Sequence, residues 1–194
     1  PGATIRGLHD SLINYHGEKN AELVLCCHEE IAVAIAHGYA KAKNRFMAVL
    51  LHSNVGLQHA SMAIFNAWCD RVPLLLLGGI GPMDAAERRP WIDWIHTSNQ
   101  PATIIRDYVK WHDEPRSVKA AIEAIHRACR ITNTEPKAPV FVGIDALIQE
   151  NDLTDDIALA NINKLQPPRP PQADQAALEQ TAQLLCQAEN PLII

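Results

Sequence analysis

Short apolar runs alternate with helical patterns along the first three quarters of the chain. The runs are continuous and rich in branched residues, as in strands buried on both faces of a sheet; they cover residues 22–26, 46–51, 73–77 and 139–144. Between them, mostly apolar residues recur at helical spacing: Ile31, Ala34, Ile35, Gly38, Tyr39 and Ala42; then Leu57, Ala60, Ser61, Ile64, Phe65 and Trp68; and finally Val118, Ala121, Ile122, Ile125 and Cys129. The alternation predicts an α/β fold, a three-layer doubly wound parallel sheet with helices on both faces.

A change of composition near residue 151 marks the predicted end of this first domain. Residues 151–172 hold acids and then a cluster of prolines, which is typical of an extended linker. Helical spacing returns at 177–188, and residues 191–194 are predicted to form a strand. Because a parallel strand needs neighbours, we interpret 173–194 as the start of a truncated second α/β domain. The first domain, residues 1–150, is expected to lack its first elements.

Composition and charge exclude several classes of function. Hydrophobic residues make up 47% of the chain and the formal net charge is -5, so there is no basic field to attract nucleic acid. No apolar run approaches the ~20 residues that span a bilayer, and a signal-peptide pattern is absent. The five cysteines form no CxxC pair. We therefore expect a cytoplasmic protein with reduced, mostly buried thiols and with neither nucleic acid nor membrane as a partner.

Two junctions between a predicted strand and a predicted helix carry candidate chemistry. In an open parallel sheet, ligands bind at the carboxyl ends of the strands. The first junction, at residues 26–30, contains Glu29, and the second, at 51–56, contains His52 and Gly56. Taken singly, Glu29 is explained by the preference for acids in the first turn of a helix, and Gly56 by a tight turn. Only the combination of the two junctions indicates a site.

Several other motifs fail when they are read in full. A glycine cluster follows the third predicted strand, but Asp84 stands where GxGxxG requires its last small residue. His28 and Glu29 begin like the HExxH zinc motif, but position 32 is Ala32. The chain has no Walker motif and no GxSxG motif. Nucleotide binding through a phosphate loop, zinc peptidase chemistry and serine hydrolase chemistry are therefore not predicted.

Taken together, the order of the junctions resembles the N-terminal, pyrimidine-binding domain of the thiamine-diphosphate decarboxylase and carboligase superfamily. That group includes acetolactate synthase, pyruvate oxidase and benzoylformate decarboxylase, and the benzoylformate branch is the most similar. In chain order, the shared motifs are PG at 1–2, HE at 28–29, GYA at 38–40, HSNVG at 52–56, NAW at 66–68, the apolar strand at 73–77, VKW at 109–111, EP at 114–115 and PVFV at 139–142. The resemblance covers about residues 1–148.

The resemblance implies specific roles for residues of both junctions. The family's glutamate, matched by Glu29, hydrogen-bonds N1′ of the cofactor's aminopyrimidine and so promotes loss of the thiazolium C2 proton. His52 matches a histidine that transfers protons near the substrate carbonyl, a role that suits an imidazole. The PG and HSNVG turns are implied to contact thiamine diphosphate; the residues are Pro1, Gly2, Ser53, Asn54 and Gly56. No metal ligand is expected among the residues of this chain.

Two residues depart from the pattern of the benzoylformate branch. Ala3 stands where a serine contacts the substrate carboxylate, and His59 stands where the family commonly has asparagine. The first departure leaves open whether the reaction is decarboxylation of a 2-oxo acid or acetolactate-synthase-like carboligation. A non-catalytic α/β binding or regulatory module is the third interpretation, in which Glu29 only begins a helix.

The resemblance also implies what lies outside this chain. The GDG motif that binds Mg²⁺ and the diphosphate is absent, and in the family it belongs to a C-terminal domain. Family active sites form between two subunits, so we expect a homo-oligomer. This chain alone is then expected to be inactive and to bind the cofactor poorly. Whether a central domain binds FAD stays open.

Overall fold

Four parallel strands form one sheet in the computed structural model, which describes residues 2–15, 21–153 and 157–193. The strands are β1 (Ala48–His52), β2 (Leu75–Ile80), β3 (Trp111–Asp113) and β4 (Val140–Asp145). Their order is β1-β2-β4-β3, and every neighbouring pair is parallel. The predicted α/β fold with a parallel sheet is confirmed.

Helices connect and cover the strands. They are α1 (Arg6–Asn14), α2 (Glu29–Lys43), α3 (Ser53–Cys69), α4 (Asp93–His96), α5 (Val118–Asn133), α6 (Ala146–Glu150) and α7 (Gln175–Gln187). Polar side chains start several of them: Ser117 caps α5, Asp145 caps α6 and Asp174 caps α7, each accepting a backbone amide hydrogen bond. Within the described residues, no helix is long and apolar enough to cross a membrane.

The sheet separates two hydrophobic cores, one on each face. Side chains alternate along a strand, so Leu76 of β2 and Phe141 of β4 enter the core beneath α2 and α3. Leu75 and Val140 point the other way and pack against α5. Both faces are therefore covered, which explains why the strands read as continuous apolar runs rather than as alternating ones.

Two predicted strands are wrong. Residues 22–26 form no regular element and pair with no strand in the described part of the chain, and Val24 and Leu25 are 64% and 80% exposed. Residues 191–193 are also irregular, with Leu192 and Ile193 exposed; Ile194 lies outside the described residues. Apolar composition favours a strand, but a strand forms only where a neighbour supplies backbone partners. Conversely, the structure contains a short strand, β3, that the sequence pattern did not predict.

The predicted helix over residues 31–42 is confirmed, but its buried face is not the predicted one. Val33, Ala36 and Ala40 are buried against α3 and the sheet, whereas Ile35 is 45% exposed. All six residues of the predicted face are exposed: Ile31, Ala34, Ile35, Gly38, Tyr39 and Ala42. Small residues let two helices approach closely, and here the larger apolar ones point away from the core.

The cysteines are less buried than predicted. Cys27, Cys69 and Cys186 are exposed, and Cys26 and Cys129 are partly buried. All five are free thiols. Burial raises the pKa of the Cys129 thiol, which packs against the core beside α5. This thiol is therefore less reactive than an ordinary cysteine at neutral pH.

The segment after α6 differs from the sheet domain in its exposure. It contains a 3₁₀ turn at Ile162–Leu165, and α7 follows as the predicted helix with no buried residue. The α7 side chains Leu178 and Leu184 are 46% and 62% exposed. An apolar helix face without a covering layer agrees with the interpretation of 173–194 as part of a further domain, which stays a prediction.

Candidate active site

His28 and Glu29 form the start of α2. His28 is the N-cap, and its Nδ1 accepts a hydrogen bond of 3.2 Å from the amide of Glu30. The cap fixes where the helix begins, so that Glu29 takes the first helical position. The Glu29 side chain is 26% exposed, whereas Glu30 is an exposed residue. Glu29 is therefore the acid of the pair that faces the protein.

The second junction lies directly against Glu29. A Cβ placed on Gly56 would come within 3.4 Å of Glu29 Cγ and within 3.3 Å of the backbone carbonyl carbon of Leu51. Glycine therefore permits the close approach of α3 to the start of α2. His59, on the next turn of α3, places its Nδ1 3.0 Å from Glu29 Oε2. The two junctions that the sequence singled out are brought together.

The charge of Glu29 is set by its surroundings. Burial raises the pKa of the Glu29 carboxyl. Several effects oppose this and outweigh it, namely the hydrogen bond with His59, a hydrogen bond from its own backbone amide, and the charges of His59 and His28. The net effect is a pKa below the usual range of a glutamate. Glu29 is therefore a carboxylate at neutral pH, with Oε2 held by His59.

Ligand atoms of His28, Glu29 and His59 all lie within 4.8 Å of one another. Two imidazoles and a carboxylate are a donor set that suits several transition metals. The two rings are stacked, however, with centroids 4.8 Å apart and planes inclined by 21°. A ring nitrogen binds a metal in the plane of its ring, so stacked rings cannot both direct a lone pair at one ion. In these rotamers the cluster is a stacked, hydrogen-bonded group rather than a metal centre.

His52 lies at the carboxyl end of β1, beneath an N-terminal 3₁₀ turn formed by Ala3–Ile5. Its Nδ1 is 2.8 Å from Thr4 Oγ1, and a Cβ on Gly2 would overlap with its ring. The His96 ring lies 5.3 Å away between centroids. Gly79 of β2 allows this arrangement, because a Cβ there would overlap with the backbone of Thr4. The glycine-rich end of β2 therefore serves close packing rather than nucleotide binding.

Burial lowers the pKa of His52, and repulsion from His96 lowers it further, while the charge of Glu29 opposes the shift. The imidazole is consequently neutral at neutral pH and able to accept a proton.

A sharp turn at Ser53 joins β1 to α3. Ser53 is buried and has a left-handed φ of 46°, which is uncommon for a residue other than glycine. Its hydroxyl donates to the backbone carbonyl of His96 and lies 3.1 Å from Asn54 Oδ1. The predicted cofactor contacts Ser53 and Asn54 thus also shape the turn that presents His52.

Three polar groups beside this turn have no partner among the described residues. They are buried atoms of consecutive residues, namely His96 Nδ1, Thr97 Oγ1 and Ser98 Oγ. Buried polar groups are nearly always hydrogen-bonded, so a row of unpaired ones indicates a missing partner. No sequence motif pointed to these residues: His96 ends the short helix α4, and Thr97 and Ser98 follow it in an irregular segment.

The predicted site residues thus form two neighbouring groups. Glu29 and Gly56 lie together with His59, and His52, Ser53 and Gly2 lie together with Thr4 and His96. Pro1 lies outside the described residues. A cavity of about 610 Å³ lies elsewhere, between α5 and residues 157–165, and none of its lining residues is a predicted site residue.

We expect acidification to destabilise the protein through His52. Because its folded pKa lies below the unfolded value, the unfolded chain binds more protons as the pH falls below about 6.5, and stability is lost in that direction. The free energy of unfolding in urea, measured at pH 7.5 and pH 5.5, should fall less for His52→Gln than for the wild type. His112→Gln, which removes an exposed imidazole of β3, is the control. Equal losses in wild type and His52→Gln would contradict this assignment.

These features define a class of protein: a parallel α/β domain whose candidate ligand-binding groups lie where strands end and helices begin. The family model for "Thiamine pyrophosphate enzyme, N-terminal TPP binding domain" matches residues 1–102. The chain belongs to this family. Residues 1–102 include both groups of predicted site residues and also the unpaired row at 96–98.

Two relatives show where the chain stands among known enzymes. It is 26% identical to benzoylformate decarboxylase from Pseudomonas aeruginosa over 121 residues, which are 62% of this chain and 22% of that protein. It is 34% identical to the acetolactate synthase large subunit from Lactococcus lactis over 84 residues, 43% of this chain and 14% of that protein. The chain therefore spans about a fifth or less of the length of these relatives.

The fold agrees with a solved structure of the same group. The crystal structure of benzoylformate decarboxylase from Polynucleobacter necessarius matches 99% of this chain and 34% of its own, with a TM-score of 0.77 at 23% identity. The likeness confirms the predicted fold class. Thiamine-diphosphate enzymes are thus the family, as the sequence motifs indicated.

Proposed function

We propose that the chain is the aminopyrimidine-binding part of a thiamine-diphosphate enzyme that decarboxylates a 2-oxo acid. The observation that carries the proposal is the Glu29 carboxylate, which lies where the two junctions meet and has one oxygen held by His59. Glu29 is the residue proposed to hydrogen-bond N1′ of the cofactor. The match to the family and the identity with benzoylformate decarboxylase support this role.

The local geometry fits a flat heterocycle. Gly56 leaves the start of α3 without a side chain beside Glu29, and Gly2 leaves the N-terminal turn without one beside His52. A Cβ at either position would meet one of the two proposed functional side chains. We propose that Mg²⁺ and the diphosphate are held by parts of the full-length protein beyond this chain, while FAD remains an open question for its central domain.

The proposed chemistry divides between cofactor and protein. The bound cofactor supplies an electron sink for the bond to the departing carboxylate. Glu29, as a carboxylate, would orient the aminopyrimidine and accept a hydrogen bond from N1′ when that atom carries a proton. His52 is neutral at rest and is placed by Thr4, so it can move a proton near the substrate carbonyl.

The unpaired polar row supports a polar substrate. Thr97 Oγ1 and Ser98 Oγ are buried near His96, whose ring faces His52. We propose that these groups provide donors for a 2-oxo acid carboxylate, in place of the serine that Ala3 replaces.

An exposed apolar surface supports a homo-oligomer. It runs along α2 and α3 and consists of Ile31, Ile35, Tyr39, Met62, Phe65 and Trp68, each at least 36% exposed. Several large apolar side chains exposed on two neighbouring helices are characteristic of protein interfaces. We propose that it meets another subunit and that the active site is completed there.

A second candidate reaction is carboligation of the acetolactate-synthase type. The 34% identity with an acetolactate synthase large subunit and the loss of the substrate-binding serine at Ala3 favour it. A non-catalytic module of the same family is the third candidate.

One experiment separates the three candidates. The full-length protein is incubated with thiamine diphosphate, Mg²⁺ and a panel of aliphatic and aromatic 2-oxo acids, and carbon dioxide, aldehyde and acyloin are measured. Decarboxylation predicts equal amounts of carbon dioxide and aldehyde, with no product from the 194-residue chain alone. Carbon dioxide with acyloin would favour the carboligase. A folded protein that binds thiamine diphosphate but releases no carbon dioxide from any acid would overturn both enzymatic candidates.

A further inference from the structure

His59 contacts Glu29, but the proposed function gives His59 no role of its own. Its Nδ1 lies 3.0 Å from Oε2 of the carboxylate, and the His59 side chain is 49% exposed. An exposed imidazole that keeps a defined hydrogen bond needs a second constraint. The His28 ring supplies it by stacking on His59, and His28 is itself fixed as the N-cap of α2.

We propose that His59 is a positioning residue, which holds Oε2 of Glu29 so that Oε1 faces the cofactor's aminopyrimidine. The inference rests on the proposed role of Glu29 and extends it to a second residue. A carboxylate at a helix start rotates about its last bond, and its two oxygens are then equivalent. A donor fixed on one oxygen removes that freedom before the cofactor binds, which reduces the entropy lost on binding.

The contact between His59 and Glu29 also makes the carboxylate respond to the charge of the imidazole. A neutral imidazole donates a single hydrogen bond from Nδ1, whereas an imidazolium adds a positive charge beside the carboxylate and holds it more strongly. The titratable groups that face His59 are Glu29 and His28 of α2, and the charge of Glu29 also acts on His52 at the end of β1. A positive charge on His59 should therefore draw Glu29 away from N1′ and slow activation of the cofactor.

Two substitutions distinguish positioning from mere packing. His59→Asn keeps a side-chain donor but cannot become cationic, and His59→Leu removes both the donor and the charge. Because the side chain is about half exposed, neither change removes a buried core residue. A matched control is His9→Asn, since His9 of α1 also pairs with a neighbouring carboxylate, Asp10, but is not part of the site.

The first measurement needs no cofactor. The side-chain carboxylate carbon of Glu29 is followed by NMR in a pH titration of the cofactor-free full-length protein, with EDTA present. Because His59 helps to keep the pKa of Glu29 low, the carboxylate of His59→Leu should titrate at higher pH than that of the wild type. Identical titrations in both proteins would overturn the inference.

The second measurement is deuterium exchange at C2 of thiamine diphosphate bound to the full-length protein with Mg²⁺. Loss of the donor in His59→Leu should slow exchange about tenfold at pH 7.5, because the carboxylate is no longer aligned. His59→Asn, which keeps a side-chain donor, should stay within about threefold of wild type at that pH. A wild-type rate in His59→Leu, or an equal loss of rate in both variants, would refute the proposal. Exchange that does not depend on Glu29 would instead refute the proposed function, while the carboxylate titration still decides the role of His59.

Discussion

Exchange at C2 of bound thiamine diphosphate is expected to slow by about 100- to 1,000-fold when Glu29 is replaced by Gln in the full-length protein. The amide has nearly the same size as the carboxylate, so it preserves the packing against Gly56. What it loses is the negative charge that His59 and the helix start hold in place. An uncharged amide cannot stabilise a proton on N1′, and the cofactor then loses its internal base.

Glu30→Gln is the matched control for this prediction. Glu30 is adjacent, lies in the same first turn of α2 and is exposed. If the acids serve only the helix dipole, both substitutions should cost a similar small amount of stability and leave exchange unchanged. If Glu29 activates the cofactor, only Glu29→Gln affects exchange. Equal exchange rates in a wild type and a Glu29→Gln protein that both bind thiamine diphosphate would remove the proposed central residue.

The parallel sheet was predictable because its strands are buried on both faces. Residues 46–51, 73–77 and 139–144 became β1, β2 and β4 with shifts of a few residues. Residues 22–26 have the same apolar character, but no described strand supplies backbone partners for them. The three-residue strand β3 contains His112 and Asp113 and has no apolar run to reveal it. Apolar composition indicates that a segment is buried, whereas strand pairing depends on neighbouring strands elsewhere in the chain.

Helix faces were predictable only in part. In α5, Ala121 of the predicted face is buried, and Ile125 and Cys129 are partly buried against the core, so the apolar pattern and the core largely coincide. In α2 the core side is lined by small residues, and the larger Ile35 and Tyr39 are exposed. An apolar stripe therefore does not distinguish the core of a domain from an interface between proteins.

The candidate site was predictable as far as the two junctions, because strand ends in a parallel sheet share one edge. The partners of the key side chains were not. Thr4 and His96 approach His52 from an N-terminal turn and from the end of the short helix α4, and neither contact follows a sequence spacing. His59 was visible as a departure from the common asparagine, but its hydrogen bond to Glu29 required the geometry of two packed helices.

Phe141→Ala is expected to lower the free energy of unfolding by about 3–5 kcal/mol. Phe141 is the second residue of β4 and is fully buried in the core beneath α2 and α3. Its ring lies over the sheet where two strands carry glycines: a Cβ on Gly78 would come within 2.5 Å of the ring, and one on Gly143 within 3.3 Å. The glycines provide the space that the ring fills, so alanine would leave a cavity with no neighbouring side chain to close it.

The loss is measured by urea unfolding of the purified protein, with Phe65→Ala as the control. Phe65 lies on α3, is 42% exposed and contacts the Tyr108 ring edge-on, so its truncation should cost only about 1 kcal/mol. A difference of this size between two identical substitutions can come only from burial and cavity formation. Similar losses for both variants would mean that the helices move onto the glycines of β2 and β4 and fill the cavity. The core above these strands would then tolerate truncation better than its packing indicates.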